Sequence, residues 1–391
     1  MRFKTGFFPG LVFLLFMLVG CADSQYSYHK PVAKADGLAT GTLTEAGLDS
    51  VLIKKAVQRI QRGKYGEVHS LLIYKDNKLV LEEYFKGHDY QWDAPKHYGK
   101  VVDWNADSVH YVHSVSKSIT SLCVGIAVDK GLIRDVRQSV FDYLPEKDQY
   151  LNAGNKKYIT VENLLTCTSG LLWAEWSAPL SSMENDQIAI WFHKKGPVDF
   201  VLSRPFVAAP GQRFNYSGGG IEVLGEIIRK ASGMRLDAFS QKYLFEPLGI
   251  KTAQWVIIYP SGEVHAAAGL TMTPRDMVKI GAMMLNNGVW NGKRIVSEDW
   301  VRKSKTPWGY NRNIDLPGED LPYMGYGYTW WTRQENVGGK TVNWYVANGW
   351  GGQKIVVLPE ANTVIVLTGA NYNRKVKQYA LLDDYIFPAI Q

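Results

Sequence analysis

Cysteine is scarce, with three in 391 residues, and no two stand as C-x-x-C. A disulfide framework and a cysteine-rich zinc site are therefore excluded. There is no H-E-x-x-H, no G-x-x-x-x-G-K-[ST] and no G-x-S-x-G elbow. Their absence leaves little support for a zinc peptidase or a P-loop nucleotide enzyme and weighs against an α/β-hydrolase. Past residue 20 no apolar run is long enough to cross a bilayer. The net charge is +7, yet the chain has no arginine-rich run, so nucleic acid is not an expected partner and the excess reads as a solvated basic surface. What the chain does have is apolar and aromatic mass for a large packed core, enough to exclude a disordered protein.

Arg2 and Lys4 precede an apolar stretch from Leu11 to Val19, the pattern of a signal peptide. The stretch ends in Leu18-Val19-Gly20-Cys21, which resembles the bacterial lipobox. The resemblance implies a signal peptide over residues 1–20, a lipid on Cys21 and a tether over 21–45. Such an anchor holds a protein on a membrane without spanning it. Asp stands at position 23 and not directly after the cysteine, so the expected address is the outer membrane, facing the periplasm. An ordinary secretory peptide is the alternative. Cys123 and Cys167 then remain, and both a pair and two small buried apolar side chains are open.

Residues 46–391 form the expected domain. Apolar spacing predicts a helix over 48–60, then strands over 70–74 and 78–85 around Asp76-Asn77. From 136 to 304 helical patterns dominate, at 159–167, 220–231, 236–244, 274–285 and 297–304. Strands return at 326–332, 341–347, 354–358 and 363–369, with a last helix over 375–386. Strands at both ends and helices between predict an α+β domain, its sheet built from about 46–135 and 305–391 and its helical part inserted between them.

Two copies of S-x-x-K occur. At Ser27 no helical pattern surrounds the motif, so nothing would hold its lysine. At Ser114-Val115-Ser116-Lys117 the apolar positions Val115, Ile119, Leu122, Cys123 and Ile126 define a helix ended by Gly131. Ser114 and Lys117 stand three apart on its first turn. The helix N-terminus and burial would both lower the lysine's proton affinity, giving a neutral amine able to take the serine proton. A plain N-cap is the competing reading of Ser114. A Pro210-Gly211 turn delivers Tyr216 to a helix start, where a phenol can relay protons. Asn348-Gly349-Trp350-Gly351-Gly352-Gln353 lies between two strands, and its glycines permit close backbone approach to a ligand. His110 and His113 read as structural or cleft-lining; no metal or cofactor is expected.

In order and spacing these three elements resemble the serine β-lactamase and penicillin-binding-protein superfamily. They are most similar to its class-C-type branch, with its esterases and 6-aminohexanoate-oligomer hydrolases. The resemblance implies an antiparallel sheet between helical layers and an acyl-enzyme chemistry. Ser114 would be the nucleophile, Lys117 its base and Tyr216 the proton relay, with the backbone N–H groups of Ser114 and Gln353 as the oxyanion hole. Trp173, Trp350, Gly351 and Gly352 would line the substrate site, Trp173 as an aromatic side chain over it. Two departures stand out. Gly218 replaces the Asn usual in the second motif, and Trp350 replaces the Lys or His that opens the third. The lost amide and cation would bind a β-lactam, so the expectation is an esterase or amidase acting on a small-molecule or peptide acyl substrate. A β-lactamase or D,D-peptidase, or a non-catalytic binding lipoprotein, are the alternatives.

Overall fold

Alternating side chains make the first hairpin two-faced. Strands β1 (Val68–Lys75) and β2 (Lys78–Tyr84) pair antiparallel around Asp76 and Asn77, whose φ angles of 48° and 62° are those of a type I′ turn. In β1, Leu72 and Tyr74 enter one core while Leu71 and Ile73 enter another on the opposite face. The computed structural model describes residues 26–390 apart from 152, 153, 155, 322, 338 and 339. Cys21 and the expected signal peptide lie outside the described residues.

The C-terminal strands complete the sheet. They are β3 (Gly325–Tyr326), β4 (Trp331–Val337), β5 (Lys340–Gly349), β6 (Gln353–Leu358) and β7 (Thr363–Gly369). The order across the seven-stranded sheet is β3-β4-β5-β6-β7-β1-β2, with every neighbouring pair antiparallel. The first strand pairs with the last, Leu71 opposite Leu367, so both ends of the chain build one sheet. Helix α1 (Ser50–Gln61), capped by the Asp49 carboxylate, packs with the C-terminal helical segment on one face. Helices α2 (Val115–Asp129), α3 (Gly218–Ser232) and α4 (Pro274–Leu285) belong to the core on the other. The result is an antiparallel sheet between helical layers. No helix among the described residues is long and apolar enough to cross a membrane.

Four features depart from the sequence reading. The described part of the expected tether, residues 26–45, is packed down. Tyr26 donates to Glu83 at 2.5 Å, Leu38 and Leu43 are buried, and Asp36 meets the buried Arg275 at 2.6 Å. Helix α4, assigned by sequence to the inserted helical part, lies directly on the sheet; Gly281 lets it approach Val364 and Ile355. The strand expected over 326–332 is broken at 327–330, because the carbonyls of Tyr328 and Thr329 turn to accept the hydroxyls of Ser121 and Ser118 in α2. A second hairpin, Lys86–Tyr90 with Tyr98–Asp103, was not anticipated. Cys123 and Cys167 are both free and buried.

Candidate active site

A short strand, His110–Tyr111, brings the chain to Ser114 at the start of α2. His113, immediately before it, has a φ of 47°, an uncommon backbone state for a side chain of this size and a frequent mark of functional sites. The Ser114 side chain makes no capping bond to its helix. Its Oγ instead accepts a hydrogen bond from Lys117 Nζ at 2.9 Å. The N-cap reading of Ser114 is thereby answered. Lys117 is 2% exposed and donates also to the Ala267 carbonyl at 3.3 Å.

Tyr216 is buried just before Ser217, whose side chain caps α3 through Gly220 N. The preceding turn is tied down by Asn215 N, which donates to the Cys167 carbonyl at 2.8 Å. The Tyr216 phenol lies against both Ser114 and Lys117, and Lys117 Nζ stands 4.9 Å from its ring centre. The structure thus gathers Ser114, Lys117 and Tyr216 at one point.

The third motif closes the other side. Gly349 lies so close to the Val112 carbonyl that a Cβ would come within 2.2 Å of it. The β5–β6 turn is thereby held against the segment leading into Ser114. Trp350 lines the cavity and anchors its indole N–H on the Tyr372 carbonyl at 3.1 Å. Gly351 lines the cavity too, with φ at 82° and the Tyr372 ring where its Cβ would be. Gly352 is packed on Gln378 instead. Gln353 opens β6 opposite Gly349, its side chain turned away to the Gly369 carbonyl at 2.6 Å.

The cavity above Ser114 measures about 970 Å³. It is lined by Trp176, Leu180, Ile188, Trp191 and Phe192, by Trp92, and by an aromatic cluster in which Tyr90 meets Tyr111, Trp350 and Tyr372. Trp173 does not line it. It is buried under α3, where Gly219 makes room for its ring, and its indole N–H donates to Glu175 at 2.8 Å. The aromatic side chain over the site is Trp176, stacked on Tyr216 at 4.5 Å between ring centres. His113 lines the cavity, while His110 is buried against Trp104.

The charge on Lys117 runs opposite to the sequence expectation. Burial is the largest influence and pushes its proton affinity down, but Tyr216, through the charge it bears once ionised and its hydrogen bond, and Glu175 outweigh it, and the net value is pushed up to about 12. Helix-terminus and burial arguments could not foresee a carboxylate arriving from elsewhere in the chain. Glu175 Oε1 lies 3.6 Å from Lys117 Nζ. Burial pushes Tyr216 up despite the opposing pull of Lys117, so it is a phenol near neutrality. Behind Lys117, Glu222 accepts the N–H groups of Ala266 and Ala267, and burial raises it to about 8. Sequence reasoning missed Glu175, Trp176, Glu222 and the hairpin carrying Tyr90 and Trp92. The one available signal was that Glu175 lies two residues beyond Trp173.

A family model described as Beta-lactamase matches residues 69–384. Among curated proteins, the chain is 26% identical over 277 residues to 6-aminohexanoate-dimer hydrolase of Paenarthrobacter ureafaciens, covering 66% of each chain. It is 29% identical over 161 residues to esterase EstB of Burkholderia gladioli, covering 39% of this chain and 40% of the esterase. These matches span less than two thirds of either relative. Among solved structures, a family VIII carboxylesterase superimposes with a TM-score of 0.64 at 16% identity, over 90% of this chain and 98% of that one. With a family model covering most of its length and the fold shared with these structures, the chain belongs to the beta-lactamase family.

Proposed function

We propose that this protein is a serine hydrolase that forms an acyl-enzyme on Ser114 and acts on an ester or amide that carries apolar or aromatic groups. One observation carries the reading: a serine hydroxyl that ignores its helix and engages a buried lysine at 2.9 Å, at a cavity walled by aromatic side chains. Ser114 Oγ attacks the carbonyl carbon, and its proton passes to the Lys117–Tyr216 pair. The tetrahedral oxyanion is held by the backbone N–H groups of Ser114 and Gln353. The C–O or C–N bond then breaks as the pair returns that proton to the leaving oxygen or nitrogen. Water adds to the acyl carbon by the same route, and Ser114 leaves with its proton.

The resting Lys117 is an ammonium that donates to Ser114. The Ser114–Lys117–Tyr216 group must therefore lose one proton before attack, and that titration belongs to the group as a whole. The rate of acylation rises with pH. Gly218 and Trp350, in place of an amide and a cation, weigh against anionic β-lactams and D,D-peptides. The 6-aminohexanoate-dimer hydrolase and esterase relatives support amide and ester chemistry. The proposal extends to a lipid anchor on Cys21 at the bacterial cell envelope; palmitate incorporation lost in Cys21→Ser would support it. The substrate reading is tested by turnover of aryl and long-chain esters, D-amino-acid amides and penicillins. Efficient penicillin hydrolysis with no ester turnover would overturn it.

A further inference from the structure

Position 218 is where the fold leaves no space. A Cβ there would come within 1.8 Å of Gln187 Nε2 and 3.1 Å of Glu175 Oε2. The Glu175 carboxylate is built in: Oε2 accepts from Trp173 Nε1 at 2.8 Å, Gln187 Nε2 at 2.8 Å and Gly218 N at 2.6 Å. Oε1 is left facing Lys117 Nζ at 3.6 Å. We infer that Glu175 is a positioning residue of the Ser114 centre. With Gln187 it fills the volume a second-motif side chain would need at 218, and its charge holds Lys117 against Ser114. The inference rests on Ser114 being the nucleophile.

Six ionisable groups face Lys117: Glu175, Tyr216, Cys167, Glu222, His113 and His265. Burial, with Lys117 second, pushes His113 and His265 down to about 3, so both are neutral at pH 7. Burial pushes Cys167 up to about 11 and raises Tyr216, leaving a thiol and a phenol. Glu222, at about 8, is mostly protonated there. Of the six, Glu175 is the one that stands as an ion-pair partner of Lys117, Oε1 at 3.6 Å from Nζ. Three N–H donors on one oxygen fix its direction. Such a carboxylate raises the cost of the neutral lysine that acylation needs and sets the pH at which the centre becomes reactive.

The test is the rate of Ser114 labelling by a neutral fluorophosphonate against pH, in the full chain. In Glu175→Gln the rising limb moves to lower pH by about one unit, a tenfold gain in reactive fraction at a fixed pH below it. Glu175→Asp withdraws the charge by one methylene and moves the limb the same way by less; it carries the test if the Gln variant does not fold. Gln187→Ala removes one of the three donors to Glu175 but no charge, and moves the limb less than Glu175→Gln does. A limb that stays put or rises in a folded Glu175 variant overturns the inference while leaving Ser114 as the nucleophile. Absence of any Ser114 labelling in the unmodified protein removes both.

Discussion

Gly218→Ala adds one methyl group at the most crowded point beside the site. The new Cβ would stand 1.8 Å from Gln187 Nε2, against an ordinary contact of about 3.5 Å. The Gln187 amide must therefore retreat by ~1.7 Å, which breaks its 2.8 Å bond to Glu175. A hydrogen bond to a charged group is worth about 1.5–3 kcal/mol, and overpacking adds about 1–3 kcal/mol where the neighbour cannot relax. Gln187 is a flexible side chain and gives way, so the lost bond dominates. Alanine in place of glycine in a helix returns up to ~1 kcal/mol. The net loss is about 0.5–3 kcal/mol. With an unfolding entropy of ~2.1 cal/mol/K per residue, that lowers Tm by about 1–4 °C in a chain of this size. Differential scanning calorimetry measures it. In a Gln187→Ala background the added methyl group meets no amide, so the same substitution becomes neutral or stabilising. A Tm unchanged in the native background, or an equal loss in both, would refute the claim that Gln187 and Glu175 occupy that space.

Arg275 is buried and pairs with Asp36 at 2.6 Å and Glu82 at 2.7 Å. Arg275→Ala leaves two carboxylates without their cation and costs about 3–5 kcal/mol in denaturant unfolding. Residues 26–45 also become open to limited proteolysis; a change below ~1 kcal/mol with no new cleavage contradicts this. Glu222 is raised by burial to about 8, so the folded chain keeps a proton that the unfolded chain has released. The stability from this group is full below the ordinary carboxyl range and is lost as pH rises through about 8. Glu222→Gln therefore flattens the fall of Tm between about pH 5 and 8; an unchanged slope counts against it.

The parts legible in the sequence are those fixed by short-range pattern. Ser114 and Lys117 share one helical turn, Tyr216 follows its own turn into α3, and the β1–β2 hairpin is written in its alternation and in Asp76-Asn77. What escaped depends on distant approach. Glu175 reaches Gly218 across 43 residues, and its charge reverses the local expectation for Lys117. Trp173 and Trp176 are three positions apart in an irregular loop, whose path alone sends one under α3 and the other over Tyr216. Residues 26–45 have no period to betray their burial; Leu38, Leu43 and the Asp36–Arg275 pair are single contacts strung along an extended chain.

The central claim is that Ser114 is an activated nucleophile, and intact-mass analysis after incubation with a fluorophosphonate tests it most directly. The account predicts a single phosphonyl adduct, mapped to Ser114, absent in Ser114→Ala, slowed in Lys117→Ala and forming faster as pH rises. An adduct that persists in Ser114→Ala, or no adduct at any pH at which the protein stays folded, would contradict it.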